Sequence, residues 1–307
     1  LKAHQHLQNS APTAKLGFSP TQVPLMADGI CDHYCTFLNN EQILESIKTH
    51  YPDGPDLYQL APIDQLHTGG IKASERLLAA LPDLPGGTGL KVLDIGSGLG
   101  GVMRLGLQRL GCQIIGLDLT HQFNVLNRAL GALSDPAQAM QVTTADGQRL
   151  PFADSSFDLV LYQHSLVNMP DKRAALTECR RVLSKQGQLI LHELVQGPEY
   201  QHLTFPVPWA SHAEHSHLMT EQELRDLLDD CDYSLSRFED WTDDALAWRK
   251  RQSSKETGNK ADAAPLSPAM VLGPDFRQMG QNIMTGLQIG ALKVIEVRAA
   301  PAPDKIR

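Results

Sequence analysis

Short apolar runs alternate with amphipathic segments from about Lys91 onward, and this alternation is the clearest pattern in the chain. The runs are continuously apolar, which is typical of strands buried on both faces of a parallel sheet. Because helical segments fall between them, the pattern predicts repeated strand–helix–strand units. The predicted strands are Lys91 to Ile95, Gln113 to Leu117, Met140 to Thr144, Asp158 to Tyr162 and Gly187 to Glu193.

The clearest helical segment is DKRAALTECRRVL, residues 171–183. Two more helices are predicted toward the N-terminus, over Asp28 to Tyr51 and over Ile71 to Leu81, and the second ends at Pro82 before the turn-rich stretch LPDLPGGTG. The residues up to about Thr21 have no periodicity and are interpreted as a tail or a loosely held lid. In the helical segment of residues 171–183, the apolar face consists of Ala174, Ala175, Leu176, Cys179, Val182 and Leu183.

The C-terminal part of the chain is less regular. Residues Gln196 to Thr220 are irregular and rich in histidine and aromatic residues. Ser253 to Ser267 has the composition of an exposed loop, and the last apolar run, GLQIGALKVIEVRA, is predicted to supply a closing strand.

Composition and charge narrow the classes of partner. The 307 residues, 42% of them hydrophobic, are enough for a large core. A net charge of -8 leaves no broad cationic surface, so nucleic acid and anionic membranes are disfavoured as partners. No run approaches the ~20 apolar residues of a spanning helix, and no signal peptide is evident, so a cytoplasmic location is expected. The oligomeric state is left open, with a homodimer as one candidate.

Cysteine and histidine usage gives little support to a metal site. The five cysteines are odd in number and mostly far apart, which argues against a disulfide framework. Cys31 and Cys35 lie four apart on a predicted helix, but no second pair accompanies them. His212, His215 and His217 could meet on a loop, although an ordinary lid or substrate wall is the preferred interpretation. We therefore predict no metal.

The motif VLDIGSGLGG, residues 92–101, ends the first predicted strand in a glycine-rich turn. Gly96, Gly98 and Gly100 permit a tight turn and a close approach of a ligand to the backbone. Gly96, Gly98 and Gly101 also satisfy the G-x-G-x-x-G fingerprint of dinucleotide-binding domains. The motif alone predicts a nucleoside cofactor and leaves open whether it is NAD or S-adenosylmethionine.

Three carboxylates follow three successive predicted strands and help to separate the two cofactors. Asp94 lies two residues before the first glycine, where it can receive the cationic amino end of S-adenosylmethionine. Asp118 can accept hydrogen bonds from both ribose hydroxyls, as it would in an NAD enzyme. Asp146, beside Gly147 and Gln148, is placed to take the exocyclic amine of adenine. Each alone could cap a helix or hold a turn, but together they favour S-adenosylmethionine.

From VLDIGSGLGG through GLDLT, ADGQRLPFADSSFDLVLYQHSLVNM and RVLSKQGQLILHE, the sequence resembles the class I S-adenosylmethionine-dependent methyltransferases. The resemblance implies an α/β fold: a Rossmann-like seven-stranded sheet, its last strand GALKVIEV antiparallel, with an N-terminal helical region and cap insertions. The implied division is a tail and helical lid over residues 1–85, a cofactor-binding core over 86–195, a cap with the sixth strand over 196–286, and a closing strand and tail over 287–307.

Two segments outside the core, DQLHTGG and FPVPWA, resemble the group containing sarcosine and dimethylglycine methyltransferases, while the GGVMR turn is also similar to sterol and tocopherol methyltransferases. The resemblance implies methylation of a small polar metabolite, with the amine of a glycine derivative as the leading acceptor. It places Gln65 and His67 against the methionine portion of the cofactor, and Gln163 and His164 beside the transferred methyl. The predicted cofactor-binding residues are Gln65, His67, Asp94, Gly96, Ser97, Gly98, Gly100, Asp118, Leu119, Asp146, Gly147, Gln148 and Gln163.

Methyl transfer requires alignment and exclusion of water rather than a nucleophilic residue. If oxygen is methylated, His164 or His192 could act as the base, although a histidine at a strand end is commonly structural. Trp209 could form an aromatic wall beside the methyl or pack in the core. Tyr34 and Tyr58 could hydrogen-bond the cofactor or a substrate carboxylate, or be buried amphipathic residues. The candidate catalytic residues are His164, Gln163, Trp209 and Tyr34.

Two questions stay open from the sequence alone. A substrate carboxylate would require a cation, and the candidates are Arg104, Arg249, Arg251 and Arg277. Within the methyltransferase class, the alternatives are S-methylation of a thioether acid and O-methylation of a small molecule. From another class, an NAD-dependent oxidoreductase remains as the alternative, on the overlapping glycine motif alone.

Overall fold

The computed structural model describes residues 34, 36–79, 89–137, 139–256 and 264–303. Seven strands form one sheet in the order β3-β2-β1-β4-β5-β7-β6. β7 runs antiparallel to both of its neighbours, whereas β1 to β5 pair in parallel. The predicted Rossmann-like sheet with an antiparallel last strand is confirmed. The strands are β1 Lys91–Ile95, β2 Gln113–Asp118, β3 Gln141–Thr144, β4 Phe157–Gln163, β5 Leu183–Gln196, β6 Tyr233–Asp240 and β7 Leu292–Pro301.

Helices cover the sheet and extend beyond it. In chain order they are α1 Asn40–His50, α2 Leu57–Asp64, α3 Gly70–Ala79, α4 Gly101–Leu110, α5 His121–Ser134, α6 Lys172–Val182, α7 Glu221–Asp230, α8 Thr242–Glu256, α9 Ala269–Leu272 and α10 Phe276–Ile289. None of the helices in the described part of the chain is long and apolar enough to cross a membrane.

The central strands β1, β4, β5 and β7 are buried on both faces, as continuous apolar runs predict, whereas the edge strands β3 and β6 are partly exposed. Successive residues of a strand point to opposite faces. Val92 and Leu159 accordingly belong to one core cluster, while the neighbouring Leu93 and Val160 belong to the other. All five predicted strands are present. β5 extends past the predicted end at Glu193 because β7 pairs with it as far as Gln196.

The N-terminal helical region differs in part from its prediction. Within the segment predicted helical from Asp28 to Tyr51, Tyr34 is helical, residues 36–39 are not, and α1 begins at Asn40, where the Asn39 side chain accepts the amide of Gln42 at 3.0 Å and caps the helix. Residues 1–33 and 35, with Cys31 and Cys35, lie outside the described residues, as does the stretch 80–88. The periodicity did not predict α2, which starts at an Asp56 capping box.

Two corrections concern the C-terminal part. The predicted loop Ser253 to Ser267 is helical in its first residues, since α8 continues to Glu256, and residues 257–263 lie outside the described residues. The apolar run GLQIGALKVIEVRA is not one strand. Its first residues complete α10, which stops at Gly290 in the left-handed conformation (φ 76°), and β7 starts at Leu292.

Candidate cofactor and acceptor site

One cavity lies along the carboxyl ends of β3, β2, β1 and β4. Asp146, Asp118, Asp94 and Gln163 all line it, and the strand order places them along the edge in that sequence. Clefts at this edge of a parallel sheet are the usual ligand sites of α/β folds. An elongated ligand lying on this edge would meet one carboxylate after another and then reach β4.

The glycine turn after β1 forms the floor of the cavity. The amides of Gly96 and Ser97 donate to the carbonyl of Leu117 at 2.7 and 3.1 Å, so the turn is fixed to β2. A Cβ at Gly98 would meet nothing within 4 Å, so the backbone there is open to a ligand. Gly100 does not line the cavity: it precedes α4 at φ 81°, and a Cβ there would collide with Asn127. Its role is packing behind the site.

The Asp118 carboxylate is held by two amides. Its Oδ2 accepts the amide of Gly98 at 2.9 Å and its Oδ1 accepts the amide of Thr120 at 2.8 Å. Burial raises the pKa of Asp118, and these amide bonds oppose the rise. The carboxylate therefore has a fixed orientation in the cavity, and each oxygen keeps a lone pair for a further donor. Leu119, the next residue, also lines the cavity.

Asp94 differs from Asp118 and Asp146 because no described residue donates a hydrogen bond to its carboxylate. It is 3% exposed, and no hydrogen bond joins its side chain to any described residue. Burial, with the nearby charge of Asp118, raises its pKa to about 7. The Ser97 hydroxyl beside it is likewise buried without a partner among the described residues. A buried carboxylate with no partner among the described residues fits a ligand that brings a cation, such as the amino end of S-adenosylmethionine.

Asp146 combines a structural role with a place in the cavity. Its Oδ1 accepts the Gln148 amide at 2.8 Å, and the Gln148 side chain donates to the same carboxylate at 3.1 Å. Gln148 in turn accepts the amide of Asp171 at 2.9 Å, which ties this turn to the start of α6. Gly147 lies between them and lines the cavity, where a Cβ would approach Met169 to 2.6 Å.

The turn after β4 carries His164 in a left-handed conformation, with φ 54°. Such a backbone is uncommon for a residue other than glycine and persists only where its surroundings fix it. Here the His164 amide donates to the His192 carbonyl at 2.9 Å, and Glu193 Oε1 accepts the amides of Ser165 and Leu166, both at 2.9 Å. Ser165 Oγ donates to the Ile95 carbonyl at 2.6 Å. The turn is therefore held by both β1 and β5.

A buried polar network lies behind this turn. His67 Nε2 donates to Gln65 Oε1 at 2.8 Å, since an amide oxygen only accepts, and burial lowers the His67 pKa to about 4, which leaves the ring neutral. Ser74 Oγ donates to the same Gln65 oxygen at 2.7 Å and lies 3.1 Å from Gln163 Oε1. His67 and Gln163 line the cavity, whereas Gln65 lies behind them, so a contact of Gln65 with the cofactor stays a prediction. In the structure Gln65 holds the His67 ring through this hydrogen bond.

His192 is not at the cavity either, which corrects its candidacy as a base. Its ring lies 5.0 Å from that of His164 and 4.9 Å from that of Trp241, and Gln163 Nε2 lies 3.3 Å from its Nδ1. Burial holds its pKa well below the ordinary value. His192 is a neutral, hydrogen-bonded core residue, which agrees with the interpretation of a histidine at a strand end as a structural residue.

The far wall of the cavity comes from the cap. Trp209 lines it with Pro208, yet it is only 7% exposed and its Nε1 donates to Ser216 Oγ at 3.0 Å. The two interpretations of Trp209, wall and core, therefore hold together. Tyr34 lines the cavity from the N-terminal side, with its hydroxyl 3.2 Å from Asn168 Nδ2. Tyr58 is half-exposed and donates to Glu75 at 2.6 Å, away from the cavity.

None of the four candidate arginines lines the cavity, and its described lining contains neither arginine nor lysine. Arg104 is buried in an ion pair with Asp64 Oδ2 at 2.7 Å that joins α4 to α2. Arg249 pairs with Glu256, while Arg251 and Arg277 are exposed. The described part of the cavity therefore offers a substrate carboxylate no arginine or lysine side chain.

Sequence reasoning missed several lining residues. Ser165 and Asn168 belong to YQHSLVNM, the segment after the fourth strand, and that position could have found them. Thr68 follows His67 directly. The apolar residues Val271, Leu272 and Ile283 come from α9 and α10, far along the chain, and no sequence signal pointed to them. His212, His215 and His217 are exposed, and no described group of three or more ligands could hold a metal.

Comparison with known proteins agrees with this geometry. Residues 93–191 match the family described as a methyltransferase domain. Sarcosine/dimethylglycine N-methyltransferase of Halorhodospira halochloris is 32% identical over 108 residues, 35% of this chain and 39% of that protein. Demethylmenaquinone methyltransferase of Thermotoga maritima is 38% identical over 107 residues, 34% of this chain and 44% of that protein. The chain thus spans less than half the length of these curated relatives.

A solved structure shares the fold over most of the chain. The putative sarcosine dimethylglycine methyltransferase of Galdieria sulphuraria has a TM-score of 0.65 at 17% identity, covering 84% of this chain and 98% of its own. Fold, cavity and family match together define a class I methyltransferase domain. Residues 93–191 of this chain carry such a domain, and solved structures that share the fold contain S-adenosylmethionine or S-adenosylhomocysteine, which favours that cofactor over NAD.

Proposed function

We propose that this chain transfers the methyl group of S-adenosylmethionine to a small polar molecule, with the amine of a glycine derivative as the leading acceptor. The observation that carries the proposal is the order of Asp146, Asp118 and Asp94 along the sheet edge. That order directs the adenine end toward β3 and the amino acid end toward β1. Beyond Asp94 the cavity continues to His164 and Trp209, where an acceptor would lie.

The chain's residues would hold the cofactor at three points. Asp146 and Gln148 would take adenine, Asp118 the ribose hydroxyls, and Asp94 the ammonium group. When bound, the cofactor supplies a methyl group activated by a positively charged sulfur. The protein's task is to align the acceptor with that methyl and to exclude water, and the cavity walls formed by His164 and the buried Trp209 suit this task.

The glycine derivative is supported by relatives named as sarcosine/dimethylglycine methyltransferases and by the resemblance of FPVPWA to that group. S-methylation of a thioether acid and O-methylation remain the alternatives. Relatives named for quinone and tocopherol methylation match the same domain, so the acceptor must be found by assay.

The test is incubation of the purified chain with methyl-labelled cofactor and a panel of acceptors, read by mass spectrometry. The panel holds glycine, sarcosine, dimethylglycine, methylthio acids, phenols and sterols. Label in sarcosine or dimethylglycine derivatives supports the leading acceptor. Asp118→Ala, which removes the ribose contact, serves as the control that must lose the product. A chain that binds S-adenosylhomocysteine and methylates nothing in any extract would refute the enzymatic proposal.

Three further expectations belong with this proposal. Residues 1–85 and 196–286 would act as lid and cap over a core at 86–195. The chain would work in the cytoplasm, with neither nucleic acid nor membrane as partner. A homodimer is the oligomeric candidate, and light scattering on the eluted protein tests it.

A further inference from the structure

Resting on the proposed function, we infer that His164 orients the acceptor by donating a hydrogen bond from Nε2 to an acceptor oxygen, and that it takes no proton. This assigns a role opposite to that of the base considered for His164 from the sequence. The two ring nitrogens of His164 differ in their contacts.

The Nδ1 atom of His164 already accepts a hydrogen bond. The amide of Thr68 points at it with an N···N distance of 3.5 Å. If Nδ1 carried a proton, its N–H would face the N–H of Thr68 and neither could accept. The neutral ring therefore carries its proton on Nε2. Burial, with His67 nearby, holds the His164 pKa well below its ordinary value, so the ring does not take up a second proton near neutral pH.

The Nε2 atom has no partner. It is buried and makes no hydrogen bond to any described residue, although His164 lines the cavity. A buried N–H left unpaired is costly, so a ligand oxygen at this position would be stabilised. The left-handed turn held by Glu193 and His192 fixes the backbone from which the ring projects.

A ring in this state selects the acceptor by two features. The acceptor must present an oxygen with a free lone pair close to the methylated atom, as a carboxylate or carbonyl does. Its nucleophile must also need no base at His164, because Nδ1 is occupied and Nε2 is protonated. A neutral amine meets both conditions. Its nitrogen forms the new N–C bond as the C–S bond breaks, the electron pair stays on sulfur, and the product ammonium loses its proton to solvent.

The tautomer can be measured without any turnover. Histidine nitrogens labelled with ¹⁵N report by chemical shift whether each ring nitrogen carries a proton, and the signals missing from the His164→Gln spectrum assign the residue. In the S-adenosylhomocysteine complex at pH 7.5 we expect a neutral ring with Nε2 protonated and Nδ1 bare. A proton on Nδ1, or on both nitrogens, would overturn the inference, whatever the activity assay shows.

Kinetics then test the role of the donor. His164→Gln keeps an N–H near Nε2 but cannot act as a base, whereas His164→Ala removes both. We expect His164→Gln to keep kcat/KM within about tenfold and His164→Ala to lose about ten- to hundredfold, mainly through KM for the acceptor. Equal losses of about 10²- to 10⁴-fold in kcat for both variants would instead show a base. His202→Gln, an exposed histidine, is the control, and each variant is checked for melting temperature and S-adenosylhomocysteine affinity.

Discussion

Asp94→Asn should stabilise the protein without ligand and weaken its binding of the cofactor. Asp94 is a buried carboxylate with no donor among the described residues, and its pKa rises from the ordinary 3.8 to about 7. An acid with a higher pKa in the folded chain destabilises the fold progressively as the pH rises from about 4 to about 7, and by a constant amount above that. At roughly 1.36 kcal/mol per pKa unit, the cost at pH 8.5 reaches about 4 kcal/mol.

The neutral Asn side chain has the same shape and removes most of this cost. Urea denaturation without cofactor should therefore give a higher free energy of unfolding for the variant at pH 8.5, by about 2 to 4 kcal/mol. The gain should shrink toward zero near pH 4. Asp53→Asn, at an exposed carboxylate, is the control that should change little.

Cofactor binding should change in the opposite direction. Loss of the charge-assisted bond to the ammonium group should weaken S-adenosylhomocysteine binding by about 1.5 to 3 kcal/mol, measured by calorimetry. Methylthioadenosine lacks the amino acid end, so its affinity should stay within about twofold. If Asp94→Asn destabilises the ligand-free protein at pH 8.5, or weakens both ligands equally, the assignment of Asp94 to the ammonium group is wrong.

Three further variants test other parts of the site. Trp209→Ala should lower stability by about 3 to 5 kcal/mol and also lower the methylation rate, with S-adenosylhomocysteine affinity within a few-fold; undiminished turnover would exclude the wall role. Arg104→Met should cost about 3 to 5 kcal/mol in urea denaturation, because Asp64 is left buried and unpaired; an unchanged midpoint would contradict this. Glu193→Ala should lower kcat/KM at least about tenfold, since two turn amides lose their acceptor, whereas Glu193→Gln should recover most of it.

The fold could be predicted wherever a single pattern of apolar and polar residues extends over a whole helix or strand. Strands of a parallel sheet are buried on both faces, so each appears as a continuous apolar run, and all five such runs became strands. The run GLQIGALKVIEVRA was wrongly predicted to be one strand, because the buried end of a helix and a buried strand are equally apolar. Only the left-handed Gly290 separates them, and a single glycine is a weak signal in sequence.

The site was predictable to the extent that strand ends define it. Parallel strands end at one edge, so carboxylates after successive strands come together, and Asp94, Asp118 and Asp146 all line the cavity. Position within a motif did not decide which way a side chain points. Gln65 and His67 are two residues apart, yet only His67 reaches the cavity. Leu272 and Ile283 reach it through tertiary packing, which no local pattern records.

The contact between the glycine turn and the turn after β4 limits how this protein could be redesigned. A methyl group added at Gly96 would collide with the Ser165 side chain, whose hydroxyl is bonded to the end of β1. The two turns therefore cannot be altered independently, and libraries that vary them would mostly yield damaged cofactor sites. Pro208, Leu272 and Ile283 belong to cap segments outside the sheet, so an engineer who wants a new methyl acceptor should randomise those positions first.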